Sequence, residues 1–152
     1  MSNLKKRIIF GAVYVAIMLG GTLIHPLIFA LIFAGILFFT QFEFYNEVEK
    51  GGYKPSKWIS TISGLILFAI SFGISIGYLK YEFAFAFIPI ALFLLIFEIF
   101  SSKENTIGNS GLNLLGFAYI GAPFGLMNFI IHPSFNGPNS RFYPWILAGV
   151  FL

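Results

Sequence analysis

Five long apolar runs dominate this 152-residue chain and decide what it can fold into. They occupy residues 8–24, 26–42, 58–79, 83–100 and 112–131. Each run is long enough for a helix that crosses a bilayer, which needs about 17 to 25 apolar residues. An unpaired backbone amide in lipid costs several kcal/mol, so each run must be a helix rather than an isolated strand. The sequence therefore predicts an all-α fold, a polytopic transmembrane helical bundle.

A sixth apolar run begins at Phe142 and continues for eleven residues to Leu152. Eleven residues are too few to cross the hydrocarbon core. We therefore expect five complete spans and the start of a sixth. On this interpretation, residues 1–152 form the amino-terminal transmembrane region of a larger membrane protein.

The composition excludes several other classes of protein. Hydrophobic residues make up 58% of the chain and charged residues only 10%, far from the balance of a soluble domain. Cysteine is absent, so no disulfide, thiolate metal site or cysteine nucleophile can form. All six acidic residues are glutamates, whereas Mg²⁺ sites for phosphoryl transfer usually use aspartate. We predict neither a catalytic residue nor a metal ligand within these residues, and no nucleic-acid partner.

The distribution of basic residues predicts how the chain crosses the membrane. Lys5, Lys6 and Arg7 precede the first run and should hold the amino terminus in the cytoplasm. That run is longer than a signal-peptide core and lacks an A-x-A cleavage site, which favours a retained span. Alternation of the spans then places seven of the nine basic residues inside: Lys5, Lys6, Arg7, Lys50, Lys54, Lys57 and Lys103. Only Lys80 and Arg141 lie outside.

Turn and cap residues mark the ends of the predicted spans. His25 and Pro26 predict an external turn with Pro at the start of a helix. The second helix should continue past its span for about two turns and stop at Gly51 and Gly52. Ser56 is a candidate N-cap for the third span. Lys54, Lys57 and Trp58 are candidate contacts to lipid headgroups at the membrane surface.

Few side chains are candidates for chemistry. Glu98 is the only charged residue inside a run, and it is either solvated or paired near a helix end, or functional. Glu43 and Glu47 are four residues apart and form either a cation site or a solvated helix face. His25 and His132 lie in external turns without a second ligand at metal spacing, which argues against zinc.

Small residues and one proline suggest close packing between helices. Gly73 with Gly77 and Gly121 with Gly125 have the four-residue spacing that allows helix backbones to approach in lipid. Pro123 lies between the second pair and should kink the fifth span. The kink serves either packing or the lining of a cavity.

Three stretches resemble a known family. Glu43, Phe44 and Tyr45, followed by Glu49 and then Gly52, Tyr53, Lys54 and Pro55, resemble the "EFY … GY-P" stretch of bacterial phosphatidate cytidylyltransferases, also called CDP-diacylglycerol synthases. The basic start leads into Ile8, Ile9, Phe10 and Gly11, as in that family. The segment from Leu114 to Gly121 is similar to its "LLG–Y-G" segment. The resemblance extends over essentially all 152 residues.

The resemblance implies a Mg²⁺-dependent reaction at a bacterial cytoplasmic membrane. CTP and phosphatidate would give CDP-diacylglycerol and pyrophosphate in phospholipid biosynthesis, and a homodimer is one compatible assembly. The family's aspartate-rich signature belongs to its carboxy-terminal half and has no match here, so no catalytic residue carries over and this chain alone should be inactive. The alternative from the residues themselves is a membrane transporter or a non-enzymatic scaffold, favoured by Glu98, Pro123 and the glycine pairs.

Overall fold

The computed structural model describes residues 25–101 and 104–131, and every regular element among them is helical. The elements are α1 (Pro26–Lys50), α2 (Lys57–Ser75), a 3₁₀ helix (Tyr81–Ala86), α3 (Phe87–Phe100), α4 (Thr106–Gly116), a π-turn (Phe117–Gly121) and α5 (Ala122–Ile131). These residues contain four stretches long and apolar enough to cross a membrane, 26–50, 57–75, 81–100 and 106–131. The all-helical prediction is confirmed. The predicted spans at 8–24 and from 142 lie outside the described residues.

The ends of α1 follow the predicted cap chemistry. Pro26 occupies the first turn, and His25 caps it because its Nδ1 accepts a hydrogen bond from the Leu27 amide at 3.2 Å. The helix continues beyond the apolar run and ends at Lys50, as predicted. Gly52 then turns the chain with a φ of 90°, a conformation that favours glycine. Ser56 does stand at the N-cap of α2, but its side chain makes no capping hydrogen bond.

The predicted third span is longer than helix α2. The helix ends at Ser75, and Gly77 adopts a φ of 82° just beyond it. The amides of Tyr78 and Leu79 both donate to the Gly73 carbonyl, at 2.9 and 3.0 Å, and close the end of the helix. The pairing of Gly73 with Gly77 as a helix-packing face is therefore wrong, because Gly77 lies outside the helix.

The predicted fifth span begins earlier than expected and contains a π-turn. Helix α4 starts at Thr106 rather than near residue 112, so it includes polar residues that the apolar pattern assigned to a loop. The π-turn precedes Pro123, and within it the Ala122 amide donates to the carbonyl of Phe117, five residues back. The helix is locally widened just before Pro123, and the kink predicted from this proline stays a prediction.

The two ends of the bundle differ in polarity. Helix α2 packs against both α1 and α5, and α3 packs against α4. Near the start of α1 the core is mostly apolar, formed by Phe29, Phe33, Leu37, Phe68 and Ile131, and the buried Asn128 side chain beside it donates to the Phe68 carbonyl. The opposite end carries the loop 51–56 together with Ser101, Glu104 and Asn105, and we call it the predicted cytoplasmic end. Its interior is polar, and it holds the candidate site.

Candidate functional site

Seven polar side chains are buried together toward the predicted cytoplasmic end of the bundle. We call them the polar cluster: Gln41, Tyr45, Ser60, Thr61, Glu98, Asn109 and Asn113. Each is at most 1% exposed. They come from α1, α2, α3 and α4. In a membrane protein such residues are rare and usually face the bundle interior, as these do.

Hydrogen bonds within the polar cluster join α1, α3 and α4. The Tyr45 hydroxyl donates to the Asn113 carbonyl at 3.0 Å, and the Ser60 hydroxyl lies beside the same phenol. The Asn113 side-chain amide donates to Glu98 Oε2 at 2.7 Å. Each bond connects two different helices, so the cluster fixes the positions of the helices relative to one another.

Gln41 and Tyr45 fit only because glycines lie opposite them. The Gln41 amide donates to the Gly116 carbonyl at 3.1 Å, and a Cβ atom added at Gly64 would lie 2.6 Å from the Gln41 Nε2 atom. A Cβ atom at Gly116 would lie 2.6 Å from Tyr45 Cζ. At Gly121, a Cβ would approach the Gly64 Cα to 3.5 Å, which confirms the predicted packing role of Gly121.

Asn109 connects the two loops at the predicted cytoplasmic end. Its side-chain oxygen accepts a hydrogen bond from the Lys54 amide at 2.9 Å, and its side-chain nitrogen donates to the Glu104 carbonyl at 3.0 Å. Lys54 belongs to the loop after α1, and Glu104 to the loop before α4. One buried side chain therefore holds both loops.

We expect Asn109→Ala to loosen both loops. Two hydrogen bonds would be lost, at a cost of about 1 to 2 kcal/mol in unfolding free energy. The thermal unfolding midpoint in detergent should fall, and limited proteolysis should cut the loop at 51–56 sooner. Asn46→Ala is the control, because Asn46 is half-buried and bonds only to Lys57 among the described residues. Equal effects of the two substitutions would contradict the connecting role of Asn109.

The glutamates do not form a metal site in the described residues. Glu43 and Glu47 are exposed, and Glu47 pairs with Lys50, as expected for a solvated helix face. Glu49 pairs with Lys57 at 2.8 Å. Within residues 25–101 and 104–131, no three side chains of metal-binding type lie together. The Mg²⁺ ion that the family resemblance implies stays an expectation.

Glu98 lies in the interior of the bundle and not in the water of the headgroup region. Its side chain is fully buried, and Asn113 donates to it from α4. Solvation by headgroup water is therefore wrong for this carboxylate, while pairing near the helix end and a functional role stay open. His25 serves as a helix cap, and His132 lies outside the described residues.

The candidate headgroup contacts lie around the start of α2. Lys57 Nζ donates to Glu49 and to the Asn46 side chain, and it lies 5.2 Å from the centre of the Phe42 ring. Trp58 is 56% exposed, with its ring 5.0 Å from that of Phe42. Lys54 is exposed. An aromatic and basic border of this kind is typical of a membrane interface, and contact with lipid stays a prediction.

Sequence reasoning missed most of the polar cluster. The sequence did not predict a buried role for Gln41, Asn109 or Asn113. Gln41 is a single amide within an apolar run, and the two asparagines lie in a stretch rich in Gly, Asn and Ser that is typical of a loop. A usable signal was present, since Asn109 and Asn113 are four residues apart and share a helix face. Polar residues at that spacing in a membrane helix indicate a face turned toward the bundle interior.

The stretches that carry the family resemblance contact one another. Tyr45, from the first stretch, packs on Gly116, from the segment similar to "LLG–Y-G". Tyr53, from the "GY-P" part, packs on Gly108, where an added Cβ would lie 2.8 Å from the Tyr53 ring. These residues therefore shape the interface between α1, the following loop and α4.

Comparison with protein-family models matches residues 5–148 to the cytidylyltransferase family. A search of the curated proteins found no significant match, and neither did a search of the solved structures.

Proposed function

The chain belongs to the cytidylyltransferase family, and on this premise we propose that it serves a membrane enzyme that makes CDP-diacylglycerol from CTP and phosphatidate. Pyrophosphate is the second product, and the pathway is phospholipid biosynthesis at a bacterial cytoplasmic membrane. The family match supports nucleotidyl transfer, with CTP as the donor. The observation that supports a lipid acceptor is the set of four apolar helical stretches of membrane-spanning length.

In this proposal the described helices are a scaffold and not the reacting centre. Hydrogen bonds of the polar cluster hold α1, α3 and α4 together at the end where the loops lie, and none of its members is arranged as a nucleophile with a base. Mg²⁺ ligands and catalytic groups then come from residues outside this sequence, which contains no aspartate. Lys54, Lys57 and Trp58 remain proposed contacts to lipid headgroups.

A transporter is the second candidate, and Glu98 is the observation that favours it. Intramembrane carboxylates often belong to ion or proton pathways. The hydrogen bond from Asn113 also gives Glu98 a structural role, and a test of this residue follows in the Discussion.

The proposed function predicts CTP-dependent lipid synthesis by the product of the complete reading frame. Membranes that contain it should convert phosphatidate and radiolabelled CTP to labelled CDP-diacylglycerol when Mg²⁺ is present. Membranes that contain only residues 1–152 should do so no faster than empty membranes. The assay separates the lipid product by thin-layer chromatography and measures pyrophosphate in parallel.

Two outcomes would contradict parts of this proposal. A complete product that forms no CDP-diacylglycerol would refute the enzyme. Activity in residues 1–152 alone would refute the scaffold role, because the reacting groups would then lie within this chain.

A further inference from the structure

The interface between α2 and α3 carries a depression at each end. At the predicted cytoplasmic end, an open groove is lined by residues that include Lys57, Trp58, Phe97 and Ser101. Deeper in the membrane region, a pocket of about 210 Å³ is lined by Leu67, Ile70 and Ile74 of α2, Phe87 of α3 and Phe129 of α5. The pocket also includes Ser71, whose hydroxyl donates to carbonyls of its own helix, so its lining is effectively apolar.

One face of α2 runs from the groove to the pocket. On α2, Ile59 lines the groove and Ile70 lines the pocket, with Ile66 between them and 47% exposed. The spacings of seven and four residues keep these three positions on one face of the helix. On α3, Phe97 lines the groove and Phe87 lines the pocket, but ten residues separate them and their side chains leave the helix about 80° apart. The apolar surface that joins the two depressions therefore belongs to α2.

The distance between the groove and the pocket matches one leaflet of a bilayer. Ile70 lies 13 residues after Lys57 on α2, which corresponds to about 20 Å along the helix. The phosphate of a lipid lies in the headgroup region, and half of a bilayer of about 40 to 45 Å that includes these regions is about 20 to 22 Å. A lipid with its phosphate level with Lys57 therefore has its acyl-chain ends at about the depth of Ile70 in the pocket.

We propose that this surface binds one phospholipid of the surrounding bilayer, with the end of an acyl chain in the pocket and the phosphate beside Lys57. A pocket of about 210 Å³ is too small for another helix, whose diameter is about 10 Å, but it accommodates the end of a hydrocarbon chain. The Lys57 ammonium has three N–H donors, and the described residues Glu49 and Asn46 accept from two of them. This inference does not depend on the proposed enzyme activity.

The retention of the lipid must come from packing and charge. A hydrocarbon chain is already in an apolar medium in the bilayer, so the hydrophobic effect adds nothing when the chain enters the pocket. Van der Waals contacts with a concave wall and the attraction of the phosphate to Lys57 remain. Narrowing the pocket should therefore weaken binding directly.

The test uses a phosphatidylglycerol with a photoreactive diazirine at the end of one acyl chain. The complete reading-frame product, reconstituted in phosphatidylcholine nanodiscs that contain this probe, is irradiated and digested, and the labelled peptides are identified by mass spectrometry. We expect labelling to concentrate on the peptides that contain Ile70 and Phe129. Ala84→Trp, which fills the pocket from the exposed 3₁₀ helix, should reduce this labelling about fivefold.

Ala118→Trp is the matched control, because Ala118 is exposed and does not line the pocket. It should leave the labelling unchanged. Labelling spread evenly over the exposed faces of the helices, or equal labelling of the two Trp variants, would overturn the proposal. A benzophenone side chain at position 70 that crosslinks only to another peptide of the same chain would also overturn it, since protein would then fill the pocket.

Discussion

Gly116→Leu is expected to destabilise the native bundle strongly. A Cβ at this position would already lie 2.6 Å from Tyr45 Cζ and 2.9 Å from the Phe44 ring, and leucine adds three more carbons. Tyr45 is fully buried and bonded to Asn113, so it cannot move aside without losing that hydrogen bond. Overpacking of this kind costs about 1 to 3 kcal/mol or more. Size-exclusion chromatography in detergent should show aggregation or a strongly lowered thermal midpoint.

Gly111→Leu provides the control for this prediction. Gly111 lies on the same helix, is exposed, and has nothing within 4 Å of an added Cβ. Its replacement by leucine should even favour the helix slightly, because glycine is a poor helix former. If both leucine variants behave alike, the close contact between α1 and α4 is wrong.

Glu98→Ala is expected to produce the second large effect. The substitution would leave the buried Asn113 side-chain amide without the Glu98 acceptor, and a lost bond to a buried group costs about 1 to 3 kcal/mol. Glu98→Gln keeps an acceptor oxygen in the same place and should retain most of the stability. Glu82→Ala, at an exposed position, should change nothing. Thermal unfolding in detergent measures all three variants.

The same variants separate a structural Glu98 from a functional one. If Glu98 serves only the scaffold, the rate of CTP-dependent lipid synthesis by the Glu98→Gln variant of the complete product should fall only as far as the stability of the variant falls. A Glu98→Gln variant that is as stable as the wild type but has lost its activity would assign the carboxylate to function.

The helices were predictable from the sequence because apolar length decides the fold in a bilayer. The runs at 26–42, 58–79, 83–100 and 112–131 each correspond to a helical stretch of spanning length in the described residues. Pro26 and Gly52 marked ends of helices because their backbone preferences are local properties of the residue.

The polar interior was not predictable in the same way, because it depends on contacts between distant residues. Hydropathy assigned 106–111 to a loop, yet Asn109 and Ser110 are buried in α4 by packing against the rest of the bundle. Gly77 looked like one half of a packing pair, although the end of α2 at Ser75 leaves it outside the helix. The partners of Gln41 and Tyr45 lie more than 60 residues away along the chain, beyond the reach of any local pattern.

The two family stretches meet where Tyr45 packs on Gly116, and exchanging the sizes of these two side chains tests this contact. The measurement compares thermal unfolding of Tyr45→Ala, Gly116→Leu and the double variant. We predict that the double variant is more stable than Gly116→Leu, because leucine enters the space that the phenol ring vacates, with a coupling of about 0.5 to 3 kcal/mol. If the losses in unfolding free energy of the two single variants simply add, with no recovery in the double variant, the contact between Tyr45 and Gly116 is wrong.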